Sequence, residues 1–102
     1  MAERISIPLR AVVYREGDWW IAHCLELDLV AEGKSPFAAL KDVLDLAEFQ
    51  IRVAMEDGDL DSIFRAAPPE VWRMFSLAEA FDFRRKPPKP VDRFETRSLA
   101  LA

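Results

Sequence analysis

The sequence predicts an α+β fold in which an antiparallel sheet is backed by one long helix, in the order β-β-β-α-(α)-β. Two strand-like runs, Ile5–Tyr14 and Trp19–Cys24, flank a short turn, and a third run, Leu27–Glu32, follows. The pair Ser35-Pro36 then opens a long amphipathic segment. These features predict a single domain over all 102 residues, with its core at 5–55.

The first two strands are predicted to form a hairpin, because the turn between them is short and contains Gly17. Pro8 lies inside the first strand and has no N–H for a ladder hydrogen bond. That part of the strand is therefore expected at a sheet edge or at an interruption of the pairing. The second strand has apolar residues on both faces, which predicts an interior strand or a face covered by another chain.

The long helix is predicted from Pro36 to about Met55, with Ser35 as its N-cap. Two apolar stripes run along it. The first consists of Phe37, Leu40, Leu44, Ala47, Ile51 and Ala54, and the second of Val43, Leu46, Phe49 and Val53. One sheet cannot cover both stripes, so the second is expected to meet the segment Trp72–Leu77 or a partner subunit.

The C-terminal half is predicted to contain a helical segment at 59–81, in which Pro69–Ala80 is the main helix. A basic, proline-rich connector follows at 84–90. Residues 94–101 alternate again and are expected to form a last strand. This strand could return to the chain's own sheet or pair with the open edge of another chain.

The composition narrows the class of protein. The net charge of −4 argues against a protein that coats nucleic acid, because phosphate contacts need a surplus of Lys and Arg. Cys24 is the single cysteine, which suits a reducing compartment. The N-terminus lacks the apolar region of a signal peptide, and no apolar run is long enough to span a membrane. A cytoplasmic protein is therefore expected.

The stretch from Tyr14 to about Val53 resembles the HicB family, the antitoxin half of bacterial HicA–HicB toxin–antitoxin pairs. The resemblance is carried by Tyr14, Glu16-Gly17, Trp20-Ile21-Ala22, Cys24-Leu25-Glu26-Leu27-Asp28, Glu32-Gly33-Lys34-Ser35-Pro36 and Ala38-Ala39-Leu40. It implies a HicB-like partial RNase H-like fold. Many family members have Pro-Gly within the loop that is Leu25–Asp28 here. Residues 56–102 show no recognisable DNA-binding module, so direct DNA binding is not expected.

The resemblance implies a non-enzymatic protein-binding module that covers the active surface of a small basic, RNA-cleaving HicA-type toxin. The expected contact residues are acidic residues that supply charge complementarity and two candidate aromatic anchors. The acidic residues are Glu16, Asp18, Glu26, Asp28 and Glu32, and the aromatic anchors are Trp19 and Trp20. No cofactor or metal is expected. A homo-oligomer is expected, because the second strand is apolar on both faces and the last strand could pair with the open edge of another chain.

Two alternatives remain open at this point. The chain could be an orphan HicB-like structural or regulatory homo-oligomer without a toxin. It could also be a metal-dependent nuclease, because Glu26, Asp28 and Glu32 share strand parity and could lie on one face. A solvated strand face predicts the same spacing, and it is the favoured interpretation.

His23 and Cys24 are adjacent, so in a strand their side chains point to opposite faces and cannot form a catalytic dyad. Cys24 is expected in the core, because free cysteine is among the most buried residue types. His23 is expected at the surface or at an interface.

Overall fold

An antiparallel sheet with one long helix packed on one of its faces forms the framework of the protein. The predicted α+β class is therefore confirmed. The structure, a computed structural model, describes residues 5–80 and 91–101, and the side chains of residues 7–78. The strands are β1 (Ile5–Glu16), β2 (Trp19–Cys24), β3 (Leu29–Gly33), β4 (Glu79–Ala80) and β5 (Val91–Leu101). The helices are α1 (Pro36–Glu56), α2 (Pro69–Leu77) and a 3-10 turn at Leu60–Ile63.

The strands lie in the order β3-β2-β1-β5-β4, with every neighbouring pair antiparallel except β4 with β5. The last strand therefore returns to the chain's own sheet, and it pairs with β1 from Tyr14–Val91 to Ile5–Leu101. The register of this ladder shifts between Ile7 and Leu9. The shift surrounds Pro8, where the sequence predicts an interruption, because proline has no N–H to donate. The connector predicted at 84–90 lies outside the described residues.

The start of α1 is built as predicted. Ser35 is the N-cap, and its Oγ accepts a hydrogen bond of 3.1 Å from the backbone N–H of Ala38. Gly33 ends β3 directly beneath this turn, and a Cβ atom there would lie 2.5 Å from the backbone nitrogen of Ala39. The helix can therefore begin against the end of β3 only because residue 33 has no side chain.

Apolar side chains fill both faces of the sheet. The first core lies between the sheet and α1, and it is formed mainly by Leu9, Ala11, Val13, Ala22, Cys24, Leu40, Val43, Ala47 and Ile51. The second core lies on the opposite face and consists of Val12, Leu25, Ala67, Val71 and Phe75. Apolar burial on both faces fits the interior position of β1, and both cores contribute to stability.

The expectation that Trp72–Leu77 covers the second stripe of α1 is wrong. The chain crosses to the other face of the sheet before α2 begins. Two hydrogen bonds fix this crossing at the 25–28 turn: the backbone N–H of Arg65 donates to the carbonyl of Glu26 at 3.1 Å, and that of Ala67 donates to the carbonyl of Leu25 at 2.8 Å. The helix α2 then packs in the second core. Val43 is buried in the first core, whereas the other three residues of the stripe remain exposed: Leu46 by 38%, Phe49 by 64% and Val53 by 38%.

Several element boundaries differ from the sequence-based expectation. The third strand begins at Leu29, because residues 25–28 form the turn that reverses the chain after β2. A 3-10 turn at Leu60–Ile63 opens the C-terminal helical segment. The helix α2 ends at Leu77, since Glu79–Ala80 extends alongside β5. Within the described part of the chain, none of the helices combines the length and apolar character needed to cross a membrane.

Candidate protein-binding surface

The β1–β2 hairpin and β3 gather four of the predicted contact residues at one end of the sheet. Glu16 pairs with Trp19 across the turn, and Ile21 pairs with Glu32. Directly paired residues share a face, so Glu16, Trp19 and Glu32 lie on the face opposite α1. Asp18 is in the turn itself, next to Gly17, which has φ 62°.

Val30 belongs to the same surface, because it pairs with His23, whose side chain shares the face of Trp19. We call this surface the hairpin-end patch and define it as Glu16, Asp18, Trp19, Val30 and Glu32. Trp19 is 44% exposed and Val30 is 49% exposed, and the three carboxylates are exposed as well. Trp19 lies at the turn end of β2 and Val30 lies near its other end, with Glu32 between them, so exposed apolar and acidic side chains alternate along this face.

The carboxylates of the patch are available for an external partner. Among the side chains of residues 7–78, none forms an ion pair with Glu16, Asp18 or Glu32. The patch thus presents three negative charges on the same face as an exposed aromatic ring, with Glu16 directly opposite Trp19 and Glu32 opposite Ile21. Such a surface attracts a basic partner and provides a large apolar contact area for it.

Trp20 is not part of the patch. Its side chain points to the α1 face, where it is half-buried against the first core. The guanidinium carbon of Arg15 lies 5.8 Å from the centroid of its ring, a cation–π arrangement. The two adjacent tryptophans therefore have different environments, and of the two only Trp19 lies on the patch.

Glu26 is held inside the fold by Arg10. One carboxylate oxygen accepts a hydrogen bond of 2.7 Å from the backbone N–H of Arg10, and the other lies 3.0 Å from the Nε of Arg10. The contact between Nε of Arg10 and Oε2 of Glu26 is an ion pair whose geometry is not that of a hydrogen bond. The Arg10 guanidinium also lies 5.4 Å from the ring centroid of Trp72. With its side chain only 16% exposed, Glu26 links β1 to the 25–28 turn and is not placed to meet a partner.

Asp28 is likewise engaged within the fold. It has φ 51°, a left-handed conformation that Asp tolerates better than most residues, and it closes the turn after β2. Its Oδ1 lies 2.6 Å from the Nε2 of His23. His23 is only 8% exposed, so the expectation that it lies at the surface is wrong, since the turn folds Asp28 back over it.

The three acidic residues that share parity are not brought together. Glu26 and Asp28 belong to the turn and bond to Arg10 and His23, whereas Glu32 is exposed on β3. Within residues 7–78, no three or more His, Cys, Asp or Glu side chains are grouped so that they could hold a metal ion.

Cys24 lies in the first core with no exposed surface, as predicted. Burial raises the pKa of its thiol from 9.0 to about 11, because the thiolate is poorly solvated there. The thiol is therefore neutral at physiological pH, and its function is to fill space in the core.

Sequence reasoning overlooked Val30 as a member of the patch and Arg10 as the partner of Glu26. The alternation of the third run could have indicated an outward Val30, but the Arg10–Glu26 contact joins residues 16 apart in the chain and has no local signal. No protein-family model, curated protein or solved structure matches the chain.

Proposed function

We propose that this chain is a protein-binding module of the HicB antitoxin type, with a HicB-like partial RNase H-like fold, which acts in the cytoplasm. It neutralises a small basic, RNA-cleaving HicA-type toxin by covering the active surface of that toxin. The observation that carries the proposal is the hairpin-end patch, where exposed Trp19 lies opposite Glu16, beside the turn residue Asp18 and on the same face as Glu32.

Charge supports this choice of partner. The chain has a net charge of −4, and three of its carboxylates lie on the patch, where no described side chain forms an ion pair with them. A toxin that binds RNA needs a positive surface to contact phosphates. Complementary charge speeds the encounter of two such proteins and disfavours acidic competitors.

The aromatic anchor supports the proposal as well. Tryptophan is enriched among the residues that contribute most to binding energy, because it buries a large rigid surface. Trp19 sits on a regular hairpin ladder whose strands are fixed by two apolar cores. The patch is thus formed before the partner arrives, which reduces the entropy lost on binding.

The mechanism is occlusion and requires no chemistry from this chain. The module binds the surface with which the toxin would contact RNA, and RNA is then excluded by steric overlap and by the negative charge of the patch. Neither a cofactor nor direct DNA binding is part of the proposal.

The second candidate is an orphan HicB-like homo-oligomer with a structural or regulatory function. The observation that favours it is the exposed apolar side of α1, formed by Leu46, Phe49 and Val53. Gene context distinguishes the two candidates, because an antitoxin is expected beside a gene for a small basic protein and an orphan is not.

Co-expression tests the proposed function. The untagged chain is produced with a tagged form of the small basic protein encoded beside its gene, and the purified complex is analysed for both chains. We expect the chain to co-purify in a fixed ratio and the Trp19→Ala variant to be lost from the complex. A matched control is Leu77→Glu, which changes a side chain that is 80% exposed at the end of α2 and does not belong to the patch. If the folded wild-type chain does not co-purify, the antitoxin proposal is wrong.

A further inference from the structure

Inside the fold, one arginine contacts an aromatic ring and a carboxylate at the same time. The guanidinium carbon of Arg10 lies 5.4 Å from the ring centroid of Trp72, and its Nε lies 3.0 Å from Oε2 of Glu26. Arginine suits such a place, because its planar cation stacks on aromatic rings and presents several N–H groups to oxygen atoms. This chain therefore contains a complete set of ring, guanidinium and carboxylate.

The turn end of the β1–β2 hairpin presents the ring and the carboxylate of such a set. Glu16 and Trp19 are directly paired across the turn, so their Cβ atoms lie about 5 Å apart on the same face. Trp19 is 44% exposed, and Glu16 and the turn residue Asp18 are exposed as well. A cation that lies on this ring is therefore within reach of a carboxylate.

The neighbouring pair of the hairpin shows that side chains of these two strands can meet in this way. Arg15 pairs with Trp20 on the opposite face, and its guanidinium carbon lies 5.8 Å from the centroid of that ring. Its Nε also donates a hydrogen bond of 3.1 Å to the carbonyl of Gly17. On the patch, the residue opposite the tryptophan is Glu16, which has the opposite charge. The hairpin thus provides a cation for Trp20 and a carboxylate for Trp19.

The described side chains supply no cation to Trp19. Within residues 7–78, the two cation–π contacts are those given above, and neither involves this ring. In the same part of the chain, no ion pair involves Glu16 or Asp18. Lys34, which follows the last residue of β3, is exposed and makes neither kind of contact there. The ring and the two carboxylates can therefore accept a cation from outside these side chains.

We propose that Trp19, Glu16 and Asp18 form a binding site for one arginine side chain of the partner. The guanidinium stacks on the exposed ring and forms an ion pair with Glu16, in the arrangement that Arg10 has inside the fold, and Asp18 adds a second negative charge beside it. This inference rests on the proposed function, because it names the side chain by which the basic toxin is held. Binding of arginine can nevertheless be measured without the toxin.

Arginine is favoured over lysine as the occupant of this site. The ammonium group of lysine is compact and strongly hydrated, so it gains less from contact with a ring, and it cannot present two parallel N–H groups to one carboxylate. A neutral side chain of the same shape as arginine lacks the charge that attracts it to the ring face and to the carboxylates. The site therefore distinguishes both planar shape and positive charge.

An NMR titration of the isotopically labelled full chain with N-acetyl-arginine amide, at constant ionic strength, tests the site. The chain has three tryptophans and thus three indole N–H signals, and Trp20 and Trp72 are internal controls because each already has an arginine at its ring. The signal that is missing from Trp19→Phe identifies Trp19. Since exposed contacts are individually weak, we expect a Kd of roughly 10–100 mM, with the Trp19 signal moving at least about threefold further than the other two.

Two matched probes and two variants show what the site recognises. N-acetyl-citrulline amide, which has the shape of the arginine probe without its charge, is expected to leave the Trp19 signal in place, and N-acetyl-lysine amide is expected to move it less than the arginine probe does. Glu16→Gln is expected to reduce the shift caused by arginine at least about twofold. Glu70→Gln removes the same charge from the first turn of α2 and is expected to leave the shift unchanged.

The inference is overturned if all three indole signals move equally with arginine, or if citrulline or lysine moves the Trp19 signal as far as arginine does. Failure of the site and failure of the proposed function are distinguishable. A chain that binds arginine at Trp19 but does not co-purify with the small basic protein has this site and is not an antitoxin. Co-purification without a Trp19 response leaves the proposed function in place and refutes the arginine site.

Discussion

His23 and Asp28 form a close contact, with 2.6 Å between Nε2 and Oδ1, that ties the end of β2 to the turn leading into β3. Asp28 holds a left-handed conformation, and His23 is buried beneath it. The contact therefore fixes where β3 begins. Since Val30 and Glu32 lie on β3, the position of the hairpin-end patch depends on this turn.

Asp28→Ala is predicted to destabilise the protein by about 1–3 kcal/mol, because the buried imidazole loses its partner and alanine tolerates the left-handed conformation poorly. Asp28→Asn is expected to cost less, since Asn retains an acceptor and accepts the same backbone angles. Urea unfolding of the two variants and the wild type measures the difference. An Asp28→Ala protein as stable as the wild type would show that the contact does not hold the turn.

Gly33→Ala is predicted to destabilise the fold by about 1–3 kcal/mol, because the new Cβ would lie 2.5 Å from the backbone nitrogen of Ala39. Gly58→Ala is the matched control. Gly58 has φ 68°, but nothing lies within 4 Å of an added Cβ, so its cost comes from the backbone angle alone. Thermal unfolding should show the larger loss for Gly33→Ala, and the reverse order would contradict the close packing of α1 on β3.

Glu26→Gln is predicted to lower the free energy of unfolding by about 1–2 kcal/mol, because the mostly buried carboxylate loses its ion pair with Arg10, whose side chain is 41% exposed. Glu32→Gln changes an exposed side chain and is expected to stay within about 0.5 kcal/mol of the wild type. Urea unfolding at neutral pH compares the two. Equal stabilities would place Glu26 among the surface acids, as the sequence alone suggests.

Local signals in the sequence predict most of the framework. The Ser35 cap, the effect of Pro8 on strand pairing and the burial of Cys24 each follow from the chemistry of one residue and its neighbours, and each is confirmed. The patch is predictable in part, because the parity of Trp19 and the hairpin turn place it on one face. The alternation of strand residues does not predict the positions of Glu26 and Asp28, because these residues belong to a turn and not to a strand.

The packing of α2 is not predictable from periodicity. Its apolar residues, Val71 and Phe75, are equally suited to either face of the sheet. The choice depends on the hydrogen bonds that Arg65 and Ala67 make to the 25–28 turn. Such contacts join segments about 40 residues apart, and the sequence has no short-range signal for them.

The burial of Cys24 has a consequence for pH dependence. The pKa of its thiol is raised from 9.0 to about 11 by burial, so the fold favours the neutral form. This contribution, about 3 kcal/mol, is fully present below pH 9 and is lost as the pH rises towards 11. The free energy of unfolding between pH 8 and pH 11, compared with that of Cys24→Ala, measures it. A wild-type protein with the same pH slope as Cys24→Ala would contradict the predicted burial effect.

The most direct test of the proposed function is the inhibition of RNA cleavage by the small basic protein encoded beside the gene of this chain. We predict that the wild-type chain and Leu77→Glu suppress cleavage equally, and that Trp19→Ala combined with Glu16→Lys weakens inhibition at least about 30-fold, the equivalent of about 2 kcal/mol. Both substitutions lie on the patch. Full inhibition by the double variant would contradict the assignment of the hairpin-end patch as the toxin-binding surface.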